Sequence, residues 1–210
     1  MDSEIRIPAG PVTLIGDLEV PHGARGVVVF AHGSGSSRLS GRNRYVASVL
    51  RRSGSFGTLL FDLLTPGEDE TYSNRFDIGL LAQRLEAATR EVLSRPELAH
   101  LTVGYFGAST GAAAAIVAAT RMPATVAAVV SRGGRPDLAG EALRDLEAPI
   151  LLIVGGLDYQ VIGLNEEALA LIPAREKRLE IVPGATHLFE EPGTLARAAD
   201  LALAWFEASL

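Results

Sequence analysis

Apolar and polar residues alternate over residues 5–7 and 12–20, on either side of Pro8-Ala9-Gly10-Pro11, and this pattern predicts an antiparallel hairpin at the edge of a sheet. The next apolar stretches are of another kind. Residues 26–31 read Gly-Val-Val-Val-Phe-Ala without a polar break, as expected of a strand buried on both faces, and 57–61 follow suit, ending at Asp62. Further strands are predicted over 101–106, 126–130, 150–154 and 178–182. Helical spacing fills the intervals. Tyr45, Val46, Val49 and Leu50 fall at helical spacing within a helix over 43–52. Leu80, Leu81, Leu85, Ala88 and Val92 do the same in a longer helix that Asp77 would cap and that runs to Ser94. The alanine-rich run 112–119 has high helix propensity, 164–171 reads as a helix, and 192–210 as an amphipathic closing helix with Trp205 and Phe206 in the core. Residues 63–74 read as loop, Gly133-Gly134-Arg135-Pro136 as a break, and 141–146 as a short helix at best.

After the hairpin, strands and helices alternate. That order predicts an α/β fold in three layers, with a mostly parallel sheet of about eight strands covered by helices on both faces.

Composition changes this picture mainly by exclusion. The 210 residues are 48% hydrophobic and 21% charged, which suits one globular domain over 1–210. A formal net charge of −6 argues against a nucleic-acid partner, and the cluster Arg38, Arg42 and Arg44 is the local exception. The chain has no cysteine, so disulfides, thiolate metal sites and a cysteine nucleophile are excluded. Met1-Asp2-Ser3-Glu4 has neither the basic start nor the apolar core of a signal peptide, and no apolar run reaches the length of a membrane span. The expectation is a soluble cytoplasmic protein with no membrane partner, a monomer or small homo-oligomer.

Candidate chemistry centres on Leu101-Thr102-Val103-Gly104-Tyr105-Phe106-Gly107-Ala108-Ser109-Thr110-Gly111. A strand, then G-x-S-x-G, then a helix is the context of a nucleophile elbow, in which a serine sits on a sharp strained turn and flanking side chains must be absent. Serine is a weak nucleophile until a base removes its proton, and the base needs an acid to fix its tautomer. Parallel sheets place their sites at the carboxyl ends of the strands. At two such ends stand Asp158, after Gly155-Gly156-Leu157, and His187, after Pro183-Gly184-Ala185-Thr186. The chain order Ser109, Asp158, His187 is nucleophile, acid, base. Asp137 is the rival acid, deeper in its own loop. His22 and His100 fall in predicted turns at the other end of the sheet, and His32 precedes the serine and fits a loop role.

The loop His32-Gly33-Ser34-Gly35 supplies the remaining part, since a tetrahedral oxyanion needs two preorganised N–H donors. The expected donors are the Thr110 and Ser34 N–H groups. A phosphate-loop reading of the same segment fails, because no third glycine and no Gly-Lys-Ser/Thr follows. Gly33, Arg38, Arg75 and Tyr159 are candidate substrate contacts. Arg38, Arg42, Arg44 and Arg75 near the pocket would favour an anionic substrate; their plainer reading is solvated or salt-bridged surface charge.

The segments AHGSGSS, FDLLTPGE, GYFGASTG, LLIVGGLD and VPGATHLFEEPG together resemble the dienelactone-hydrolase-like branch of the α/β-hydrolases, over most of the chain. The resemblance implies the α/β-hydrolase fold, a Ser109, Asp158 and His187 triad, and no cofactor or metal. Dienelactone hydrolases proper use a cysteine nucleophile, and this chain has serine there, so the carry-over is a serine carboxylesterase. The interval between the strands at 126–130 and 150–154 is too short for a large lid, so an open site for small to medium acyl esters is expected. Rival readings are a thioesterase or amidase, a dienelactone-type lactone hydrolase, and a non-catalytic ligand-binding member of the fold.

Overall fold

In a computed structural model that describes residues 2–210, the opening hairpin is longer than its alternation suggests. Strand β1 (Asp2–Ala9) pairs antiparallel with β2 (Val12–Glu19), and only Gly10 and Pro11 make the turn. Pro8 lies inside β1 opposite Thr13, which an edge strand tolerates because half of its backbone has no ladder partner. Met1, part of the chain start considered above, lies outside the described residues.

The other strands are β3 (Gly26–Ala31), β4 (Phe56–Phe61), β5 (Thr102–Ala108), β6 (Val126–Arg132), β7 (Ile150–Gly155) and β8 (Lys177–Val182). They form one eight-stranded sheet in the order β1-β2-β4-β3-β5-β6-β7-β8. From β4 to β8 every neighbour is parallel, and β2 joins β4 antiparallel.

Alternation within the buried strands decides what each face receives. Val27, Val29 and Ala31 of β3, with Val103 and Tyr105 of β5, enter one core; Val28, Phe30 and Phe106 enter the other. The first core is closed by α3 (Ile78–Leu93), α4 (Thr110–Arg121) and α5 (Tyr159–Leu171), the second by α1 (Gly41–Arg52) and α6 (Thr194–Ser209). Asp77 does cap α3, its side chain accepting from the Leu80 N–H at 2.9 Å. Phe206 is fully buried against Gly104, where a Cβ would come within 2.7 Å of its ring, while Trp205 is half-buried beneath Arg178.

Residues 63–74, expected as loop, contain a one-turn helix, α2 (Pro66–Asp69), followed by a 3-10 stretch at Tyr72–Phe76. The signal was a capping box: the Thr65 hydroxyl accepts from the Glu68 N–H and the Glu68 carboxylate accepts from the Thr65 N–H. The segment after β6 is a 3-10 stretch, Pro136–Asp145, broken at Gly140 and lying against α4 and α5. Among the described residues no helix is long and apolar enough to cross a membrane.

Candidate active site

Strand β5 ends at Ala108 and α4 begins at Thr110, so Ser109 makes the whole turn. Its backbone pays in strain, at φ 51° and ψ −122°. The flanking glycines are required by close approach. A Cβ on Gly107 would lie 2.4 Å from Ala112 Cα, and one on Gly111 2.2 Å from the Ala31 carbonyl oxygen. The motif therefore packs β5, α4 and the end of β3 more tightly than any side chain permits.

Asp158 lies three residues past β7 and is the N-cap of α5, yet its carboxylate makes no capping bond there. It turns instead to His187, whose Nδ1–H donates to Asp158 Oδ2 at 2.7 Å. Two backbone bonds hold the loops together: Gly156 N–H to the Val182 carbonyl at 2.8 Å and Leu157 N–H to the Ala185 carbonyl at 2.9 Å. Gly155 makes that approach possible, because a Cβ there would lie 2.4 Å from the Ala185 carbonyl oxygen. The His187 loop is closed by Glu191, whose carboxylate accepts from Thr186 N–H and Oγ1 at 3.0 and 2.6 Å. Those Thr186 bonds hold the exposed Glu191 carboxyl below its ordinary range. Gly133, at φ 52°, lies against the imidazole; a Cβ would sit 3.6 Å from Cε1 and Nδ1.

Ser109 and His187 border one cleft of about 220 Å³, together with Gly33, Ser34, Arg42, Arg132 and Leu188. The Ser109 hydroxyl makes no hydrogen bond among the described residues. With its proton on Nδ1, the imidazole keeps a lone pair on Nε2.

The loop after β3 carries the expected donor Ser34. The Ser34 N–H donates to Thr110 Oγ1 at 2.9 Å, so it is already committed to a protein acceptor. Gly33 is a close neighbour of the serine: a Cβ on it would lie 3.0 Å from Ser109 Cβ. His32 fixes this loop. Its Nδ1–H donates to the Gly33 carbonyl at 3.0 Å and its Nε2 accepts from Leu63 N–H at 3.1 Å. Burial pushes its pKa down despite that carbonyl and the neighbouring Asp62 and Asp69.

The other candidate contacts separate. Arg38 is not at the cleft, because its side chain is spent on Asp62 at 2.6 Å, Glu4 at 3.4 Å and Asp17 at 3.5 Å. Arg44 pairs with Asp17, and Arg75 is held by both Asp69 carboxylate oxygens at 2.8 Å, although it stays beside Gly35. Tyr159 is 74% exposed and does not line the cleft. Asp137, the rival acid, is paired with Arg135 through two bonds of 2.9 and 2.8 Å. Arg42, of the arginine cluster expected near the pocket, reaches the cleft from α1. One residue at the site was not singled out beforehand: Arg132, which lines the cleft from the end of β6. An arginine closing an apolar strand (Val126-Ala-Ala-Val-Val-Ser-Arg132) was the available signal.

An eight-stranded sheet of this order, with an elbow after β5 and an Asp–His pair after β7 and β8, defines an α/β-hydrolase fold. Residues 60–208 match the dienelactone hydrolase family, and the chain belongs to that family. It is 56% identical to a solved dienelactone hydrolase from Anabaena variabilis, covering 100% of this chain and 98% of that one with a TM-score of 0.96. Est1E from Butyrivibrio proteoclasticus, solved with ferulic acid bound, shares the fold at a TM-score of 0.83 and 13% identity, over 98% of each chain. Proteins from two strains of Mycobacterium tuberculosis, provisionally named phosphoribosyl transferases, are 60% identical over 205 residues, 98% of this chain. The chain spans about half of their length, 46%.

Proposed function

We propose that this protein is a serine carboxylesterase acting on small to medium acyl esters. The observation that carries this reading is the 2.7 Å Asp158–His187 bond beside a cleft that the strained Ser109 also borders. Nε2 of His187 takes the hydroxyl proton as Ser109 Oγ attacks the ester carbonyl carbon, and Asp158 steadies the imidazolium. The carbonyl π pair moves onto oxygen, and the Thr110 and Gly33 N–H groups receive that oxyanion. Thr110 stands at the first position of α4, where a helix leaves its N–H unpaired. The C–O bond then breaks, the alcohol leaves with the proton from His187, and water attacks the acyl-enzyme by the same route. No step calls on a metal or an organic cofactor. The hydrogen bond from the Ser109 hydroxyl to His187 Nε2 forms as a substrate engages, since such bonds are commonly long or unformed in the free enzyme.

A lactone is an internal ester and would follow the same steps; the Anabaena relative named a dienelactone hydrolase favours including one. The phosphoribosyl transferase name belongs to proteins about twice as long as this chain. The test is hydrolysis of matched 4-nitrophenyl butyrate, its thioester and its anilide by the wild type and Ser109→Ala. Ester turnover that falls by about three orders of magnitude or more in the variant supports the reading. Ester hydrolysis that survives the substitution, or a wild type that cleaves only the thioester or anilide, refutes it.

A further inference from the structure

The two edges of the sheet are not alike. At one edge, β1 carries Pro8 within the strand. At the other, β8 lies outermost, pairs only with β7, and has no proline among its residues. The Ile150 N–H donates to the Glu176 carbonyl and the Gly156 N–H to the Val182 carbonyl, so the even-numbered residues along β8 turn their backbone groups inward to β7. The N–H and C=O groups of Lys177, Leu179 and Ile181 therefore point outward, and among the described residues no strand lies beyond them. A lysine side chain often guards such an edge. Lys177 is instead folded back onto its own chain, its Nζ donating to the Leu169 and Ile172 carbonyls at 2.9 and 2.6 Å. On the α5 side of the strand Leu179 packs against the first core and Ile181 is 40% exposed. On the α6 side Arg178 and Glu180 border a groove of about 430 Å³ with Leu201 and Trp205. Arg178 lies over the Trp205 ring and reaches Glu180 only at 3.7 Å.

An open edge of this kind is a template for another strand, and its charges select which. In an antiparallel two-fold pairing of β8 with a second β8, outward-facing residues must stand opposite one another. With the axis at Leu179, Leu179 faces Leu179 and Lys177 faces Ile181 in hydrogen-bonded pairs. Arg178 of each copy then faces Glu180 of the other in the non-hydrogen-bonded pairs, where side chains approach most closely. Moving the axis to Arg178 or to Glu180 sets like charges face to face, and moving it to Lys177 or Ile181 shortens the overlap. The strand is thus complementary to itself in one register. We propose that the outer edge of β8 is the docking surface for a second copy of this chain, joined about a two-fold axis at Leu179 into one continuous sheet. Both copies use the same edge, so the pairing closes at two. Nothing in it depends on the ester chemistry.

Sedimentation equilibrium of the full chain at tens of micromolar tests this. The wild type should sediment at the mass of two chains. Arg178→Glu and Glu180→Arg should each sediment as one chain, with circular dichroism confirming that both are folded. An equimolar mixture of the two variants should return to the mass of two chains, because each reversed residue then meets the opposite charge on its partner. The variant that carries both reversals should pair as the wild type does. Amide hydrogen exchange reads the edge without any substitution: the outward Leu179 and Ile181 N–H groups should exchange about tenfold or more slowly at this concentration than after dilution to single chains. A wild type that sediments as one chain or as more than two overturns the proposal. So does a two-chain mass that both reversals leave intact, or a mixture that fails to restore it. If the variants do not fold, the wild-type amides decide, and fast exchange at Leu179 and Ile181 in a two-chain species places the contact elsewhere and overturns it.

Discussion

Asp158 and His187 stand 29 residues apart in the chain and are joined by a hydrogen bond of 2.7 Å, although Asp158 occupies the N-cap of α5. An aspartate there ordinarily accepts from its own helix. Because this carboxylate does not, its removal should separate activity from stability. Asp158→Asn is expected to lower ester turnover by about three orders of magnitude or more while changing stability by less than about 1 kcal/mol. Urea unfolding and steady-state kinetics on the same sample check this; a large loss of stability with turnover retained would make Asp158 a structural cap.

Two glycine substitutions should act in opposite directions. Gly111→Ala places a Cβ 2.2 Å from the Ala31 carbonyl oxygen, a backbone atom that cannot swing aside, and should destabilise the fold by about 3 kcal/mol or more. Gly163, within α5, has open space around it, so Gly163→Ala should stabilise by about 0.5–1 kcal/mol through helix propensity. Thermal melts of both variants measure the contrast, and equal effects would contradict it.

Gly163 also shows where the sequence misleads. The helix expected over 164–171 begins at Tyr159, because a glycine resembles a break and α5 buries only Val161, Asn165 and Ala168, too few for a clear stripe. The strands were legible because β3, β4, β5 and β7 are buried on both faces and carry almost no polar residue, Thr58 in β4 being the fully buried exception. Ser109, Asp158 and His187 could be put forward as a set because each follows the carboxyl end of a parallel strand, β5, β7 and β8. That the Thr110 hydroxyl accepts from the Ser34 N–H was not legible, because it is a contact across 76 residues. The arginines divide in the same way. Charge along the chain does not reveal that Arg38 meets Asp62 while Arg132 meets no carboxylate among the described residues.

The Thr110–Ser34 bond gives a kinetic prediction. Thr110→Val keeps the shape but removes the acceptor for Ser34 N–H, which should loosen the loop carrying Gly33. The expected result is a fall in kcat of about tenfold with KM little changed, and recovery in Thr110→Ser, which restores the hydroxyl. A change in KM alone would show that the bond does not preorganise the site.

Acid sensitivity should trace in part to Glu68. Burial pushes its carboxyl upward, but the Thr65 N–H and hydroxyl and the Arg84 guanidinium, 2.6 Å away, outweigh this and hold the folded pKa below its ordinary value. A lowered carboxylate pKa contributes stability above the unfolded-state pKa of about 4.3, and that stability is lost as pH falls through the folded value. Glu68→Gln should therefore cost about 1–2 kcal/mol at neutral pH, and the gap to the wild type should close in acid below about pH 4. Denaturant titrations at both pH values test the sign; a gap that widens in acid would contradict it.

Ester cleavage by this chain requires that His187 activate Ser109. The direct measurement is labelling by a fluorophosphonate, read by intact mass and peptide mapping. One adduct on Ser109 in the wild type, abolished in His187→Ala, is the predicted result. An adduct elsewhere, or labelling of Ser109 at an undiminished rate in His187→Ala, would contradict it.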